Sequence, residues 1–80
     1  LSIKIKDLIT TKEGYIPLII TKEEIKTSTG YVNFVTDGYN EYRIISSKPQ
    51  GLTTYDKILV SGNIDRNTNR ITNASIIKEK

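Results

Sequence analysis

Along residues 31–45 the chain reads Tyr-Val-Asn-Phe-Val-Thr, then Asp37-Gly38, then Tyr-Asn-Glu-Tyr-Arg-Ile-Ile. Two runs rich in β-branched and aromatic residues flank an Asp-Gly dipeptide, the strongest short-range signal for a β-hairpin. Asp37 suits an Asx-type turn before Gly38. A third run, residues 57–65, alternates Ile58, Val60 and Ile64 and is interrupted by Gly62, which permits a sharp bend in a strand. Arg66-Asn67-Thr68-Asn69 then forms a polar turn into a fourth run, residues 70–77.

Upstream, residues 15–25 open too apolar for a surface strand and too β-branched for a helix, so they are read as a strand. A helical turn over residues 22–26 is the competing reading. Ser46-Ser47-Lys48-Pro49-Gln50-Gly51 breaks the pattern with both Pro and Gly, leaving room for at most one helical turn before Asp56. The expected class is all-β, with five strands and little or no helix between the third and fourth. Residues 1–80 form a single domain, with residues 1–9 as an arm and residues 78–80 as a solvated tail.

Eighty residues with 36% hydrophobic composition allow one core, and a domain of this size buries only about two-thirds of its unfolded surface. The absence of Cys removes disulfides and thiolate metal ligands; a closed barrel without free edges is then a sensible route to stability. Without His, the commonest general base and metal ligand is missing too, and no Ser lies in a nucleophile-elbow context. A non-catalytic protein with no cofactor is expected. Pro17 interrupts the longest apolar run, which falls far short of the roughly 20 residues a membrane helix needs. No secretory leader opens the chain and its first residue is Leu, so a trimmed, cytoplasmic protein is expected, with no membrane partner. Abundant Ile, Lys and Glu beside no Cys, Met or Trp has the flavour of a heat-loving, AT-rich source such as an archaeon, against which the many Asn residues count.

The order of elements, from the hairpin of residues 31–45 through Leu52 to the Gly62-bent strand, resembles the OB-fold (oligonucleotide/oligosaccharide-binding fold). It resembles in particular the small nucleic-acid-binding branch related to anticodon-binding domains, and the resemblance spans residues 5–77. It implies a five-stranded Greek-key barrel, in a reduced form that replaces the helix between strands 3 and 4 by a loop. It also implies that the N-terminal arm packs across the barrel end. Strand 1 of that fold usually carries a glycine at its bend; none stands here, so the curvature is expected from a bulge over residues 21–23. By the same resemblance, oligonucleotides lie across strands 2 and 3, bordered by the loops joining strands 1 to 2 and 4 to 5.

Side chains alternate between interior and exterior, so strand 2 divides into Val32, Phe34 and Thr36 on one side and Tyr31, Asn33 and Val35 on the other. The apolar look of Val32 and Phe34 assigns them to the core; the resemblance offers Phe34 instead as an outer stacking platform. Arg43 must point outward, because a guanidinium is hard to bury unpaired. Aromatic faces stack unpaired bases while nearby cations meet phosphates. Candidate nucleic-acid contacts are therefore Arg43, Arg66, Arg70, Phe34, Tyr31, Tyr39, Asn67 and Lys57, with Lys26 and Lys48 as an outer rim. Each tyrosine has a bland alternative as filler: Tyr39 at the turn tip is expected to be exposed, and Tyr15 and Tyr55 to pack at barrel ends. The bland reading of Arg66 to Arg70 is a soluble turn. Glu23 and Glu24 point to opposite faces of a regular strand and are expected to be solvated.

Net charge +3 and a pI near 9.2 permit weak, salt-sensitive binding to polyanions. Two partners are expected, the first implied chiefly by the resemblance and the second favoured by the modest charge. One is single-stranded DNA or RNA, in replication or repair; the other is a DNA polymerase or another replication protein, to which the chain would serve as an adaptor or accessory subunit.

Overall fold

A computed structural model describes residues 12–79. The proposed arm over residues 1–9 lies outside the described residues. Five strands form: β1 (Ile16–Lys26), β2 (Tyr31–Thr36), β3 (Glu41–Ser46), β4 (Lys57–Asp65) and β5 (Arg70–Lys78). They close into a barrel in the order β1-β2-β3-β5-β4. All neighbours are antiparallel except β3 and β5, whose parallel pairing of Arg43 with Arg70 and Ile44 with Ile71 closes the cylinder. This is an all-β, OB-like five-stranded barrel. No helix forms among the described residues, and the one turn allowed before Asp56 is not helical.

Strand β1 serves two neighbours in succession, pairing with β4 over Ile16 to Ile19 and with β2 over Ile19 to Lys26. It turns that corner without a glycine by means of two bulges, between Ile20 and Lys22 and between Lys22 and Ile25. The expected bulge is thus present, and doubled. On β5 a further bulge stands opposite Gly62, where Asn73 takes a φ of 52°. Gly62 is required there: its φ is +149°, and a Cβ would lie 2.8 Å from the Thr72 carbonyl oxygen and 3.0 Å from the Ala74 Cα.

Inward-facing Leu18, Ile20, Val35, Tyr42, Ile44, Ile58, Val60 and Ile71 make one core with Leu52 plugging it from the loop before β4. Each such side chain contributes roughly 1.5–3 kcal/mol on burial. Val32 and Phe34 are not among them, which corrects the assignment made from their apolar character. On β2 the inward residues are Asn33 and Val35, both fully buried, with Tyr31 on the same side at the strand's start.

An amide in the core needs partners. Asn33 Nδ2 donates to Glu24 Oε2 at 2.8 Å, and the same oxygen accepts the Gln50 N–H at 3.0 Å. Glu24 is therefore a half-buried clasp joining β1, β2 and the β3–β4 loop, not a solvated carboxylate. The second β1 bulge turns it inward. Tyr55 also departs from expectation: it is 62% exposed with a φ of 73°, because its N–H is tied to the Ile20 carbonyl at 2.8 Å and its ring is left in solvent. The tail begins later than expected, since Lys78 still belongs to β5 and pairs with Asp56 at 3.3 Å.

Candidate functional site

With Asn33 and Val35 inward, the alternate residues of β2 form part of the outer wall, and their register partners share that face. Phe34 pairs with Lys22 of β1 on one side and Arg43 of β3 on the other; Arg43 pairs in turn with Arg70 of β5. Lys22, Phe34, Arg43 and Arg70 thus stand in one row across four strands. At about 4.8 Å per strand the row is roughly 14 Å long. Lys22, Arg43 and Arg70 are exposed and Phe34 is half-buried.

The Lys22 ammonium lies 5.2 Å from the centre of the Phe34 ring. An exposed cation–π contact is worth roughly 0.5–1 kcal/mol, less than the 1–3 kcal/mol of a base stacked on an aromatic ring. The contact is weak enough for a planar group to displace Lys22 from that face. Arg43 and Arg70 are directly opposed like charges, an arrangement that is destabilising unless something anionic lies between. Among the described residues the one ion pair within 4 Å is Lys78 with Asp56, away from this row. Two carboxylates temper the field. Asp65 is the β4 partner of Arg70, and Glu41 precedes Arg43 on the same face, accepting a 3.5 Å bond from Thr21 Oγ1.

The other candidates fall elsewhere. Arg66 leans back over the barrel end, where Nη1 donates to the Tyr42 hydroxyl at 3.0 Å, the polar tip of a buried ring. Asn67 lies in the β4–β5 turn and donates its N–H to Asp65 Oδ1. Tyr39 is 77% exposed at the hairpin tip, with its N–H bonded to Asp37 Oδ1 at 2.8 Å in the expected Asx turn. Lys57 belongs to the neighbouring row Lys57–Ile19–Thr36–Glu41, on the far flank of β1. Tyr31, half-buried at the start of β2, alternates onto the side of Asn33 and Val35 rather than that of Phe34. Lys26 is exposed at the end of β1 and Lys48 follows β3. Tyr15 sits half-buried near Lys12, its hydroxyl bonded by Ser75 and Ser61; those bonds hold its pKa below the usual phenol value against the opposing effect of burial.

Lys22 was not among the sequence candidates. Its partnership with Phe34 depends on the two bulges that reset β1 against β2, and no local pattern reports such a reset.

The next outward row is apolar. Ile25, Val32 and Ile45 are register partners across β1, β2 and β3, and Ile25 is 49% exposed. Beyond Ile44 and Ile71, β3 and β5 diverge, and a groove of about 510 Å³ opens between Ile45–Lys48 and Thr72–Ala74 with Thr29 and Gln50 at its rim. No family model matches the chain, and neither a curated protein nor a solved structure matches it significantly.

Proposed function

We propose that this protein is a non-catalytic module that binds single-stranded nucleic acid on the outer wall of β1, β2, β3 and β5, in the service of DNA replication or repair. The observation that carries this is the cross-strand row of Lys22, Phe34, Arg43 and Arg70, a stacking surface set among cations with no ion-pair partner within 4 Å among the described residues. A chain without His or Cys fits a binding role better than an acid–base or thiolate chemistry. The resemblance to the small nucleic-acid-binding OB-fold branch points the same way, as analogy.

Titrating labelled oligo(dT) by fluorescence anisotropy tests the proposal. Three cations neutralising three phosphates give a slope of about −2 in log K against log salt, at roughly 0.7 per contact for a single strand. Arg43→Ala should lower that slope by about 0.7 and weaken binding. Absence of binding at low salt, or binding indifferent to salt, would refute it.

A second reading is supported by the apolar row of Ile25, Val32 and Ile45, which suits a protein surface better than a phosphate backbone. In that reading the chain is an accessory subunit docked on a DNA polymerase or another replication protein. Pull-down from native extract in high salt with nuclease should then retain the partner; loss of the partner on nuclease treatment would count against direct contact.

A further inference from the structure

Past the Arg43–Arg70 pair, β3 and β5 run in the same direction and then part, because the Asn73 bulge opposite Gly62 carries β5 away from β3. The groove between them has an unusual lining for a cleft beside a basic row. Ser46, Ser47, Thr29 and Thr72 offer hydroxyls, Gln50 and Asn73 offer amides, Lys48 is the one cation, and no carboxylate contributes. These groups donate and accept but carry little charge, which suits a neutral, hydroxyl-bearing ligand rather than a cluster of phosphates.

The groove is also held open in advance. The Thr27 N–H and hydroxyl both bond the Gly30 carbonyl, and Gly30 packs so tightly on the end of β3 that a Cβ there would overlap the Ser46 carbonyl oxygen. On the other rim, Gln50 is fixed through its N–H to Glu24 and through Nε2 to the Lys48 carbonyl at 3.0 Å. Ile45 and Thr72 each lie two residues beyond the arginines, roughly 6.6 Å along the strands, a distance comparable to one nucleotide of extended chain.

We infer that this groove receives the sugar of the nucleotide next to the phosphate held by Arg43 and Arg70, and that it selects ribose over deoxyribose through hydrogen bonds to the 2′-hydroxyl. The inference rests on the single-strand reading above, not on its placement in DNA replication or repair, and deepens it by naming RNA as the preferred ligand. A 2′-hydroxyl both donates and accepts, and it is the group by which a protein distinguishes RNA from DNA. In an open groove water solvates whatever the ligand leaves unpaired, so the preference should be modest, about 2- to 10-fold per hydroxyl engaged.

The test compares oligouridylate with oligodeoxyuridylate of the same length, about ten nucleotides, so that the 2′-hydroxyl is the sole difference. The wild-type protein should bind the ribo-oligomer several-fold more tightly at fixed salt. Thr72→Val and Ser47→Ala, both at exposed positions, should bring the ribo affinity toward the deoxy affinity. Equal affinities in the wild type, or a preference that survives both substitutions, would overturn the inference while leaving the single-strand reading standing. Failure of both oligomers to bind in a salt-sensitive way would overturn that reading, and this inference with it.

Discussion

Replacing Glu24 with alanine strips a fully buried amide of its hydrogen-bond partner. Asn33 is 0% exposed; its Nδ2 donates to Glu24 Oε2 at 2.8 Å, while its Oδ1 is buried with no partner. After the substitution neither end of the amide is bonded. Leaving such a donor unpaired in a core costs about 1–3 kcal/mol. The Gln50 N–H, which shares the same carboxylate oxygen, belongs to an exposed residue and regains its bond from water, so it adds little. A domain of this size is stable by about 5–15 kcal/mol in all, and each kcal/mol moves its midpoint by about 4–8 °C. Glu24→Ala should therefore lower the thermal midpoint by about 5–20 °C. The double variant Asn33→Leu/Glu24→Ala replaces both partners with apolar groups and should recover most of the loss, the signature of a bond whose value lies in not being half-broken. Thermal and urea unfolding followed by circular dichroism measures both. A single variant within about 0.5 kcal/mol of wild type, or a double variant as unstable as the single, would show that Glu24 is not the clasp described.

Gly62→Ala drives a Cβ against the Thr72 carbonyl oxygen, a backbone atom 2.8 Å away, at a φ of +149°, and should cost about 1–3 kcal/mol; an unchanged urea midpoint would contradict the tight β4–β5 crossing. Asp56 and Asp65 both have pKa values below the ordinary 3.8, Asp56 chiefly through the Thr53 N–H and then Lys78, Asp65 chiefly through the Asn67 and Thr68 N–H groups. Because the folded values are depressed, their stabilisation is fully present above the unfolded value of 3.8 and is lost as pH falls through the folded values. Urea midpoints should hold steady from neutral pH and decline below about 4, and Asp56→Asn/Asp65→Asn should flatten that decline. Phe34→Ala should weaken oligo(dT) binding by about 5- to 150-fold without changing the salt slope, since it removes stacking and no charge; a changed slope would mean that Phe34 acts through Lys22 alone.

Much of the barrel was legible in local chemistry. The hairpin follows from Asp37, whose Oδ1 accepts the N–H groups of both Tyr39 and Asn40, and β4 from the alternation of residues 57–65. The bend of β1 was legible through the OB-fold resemblance, whose first strand usually bends at a glycine that this chain lacks, so that a bulge was expected in its place. The Glu24 clasp was not legible. It joins residues nine and twenty-six positions apart through a bulge that turns the carboxylate inward, and isolated carboxylates are solvated far more often than buried.

The face of Phe34 was decidable from the sequence, and the apolar pattern misdirected it. Apolar side chains occupy both faces of β2, with Val32 and Phe34 on one and Tyr31 and Val35 on the other, so alternation alone does not choose. Arg43 chooses. Across a hairpin whose turn has an even number of residues, two at Asp37-Gly38 or the four observed from Asp37 to Asn40, Phe34 always shares a face with the odd-numbered positions of β3. An outward Arg43 therefore forces an outward Phe34; the two expectations, arginine out and phenylalanine in, were incompatible with the turn that joins them. The opposite parity would carry an unpaired guanidinium into the core, where desolvation costs several kcal/mol. The observed parity carries in Asn33, an amide that one carboxylate can serve at a cost of about 1–3 kcal/mol for its remaining oxygen. The cheaper burial sets the register of faces. It is for this reason that an aromatic ring stands between Lys22 and Arg43 on the outer wall, within reach of a ligand.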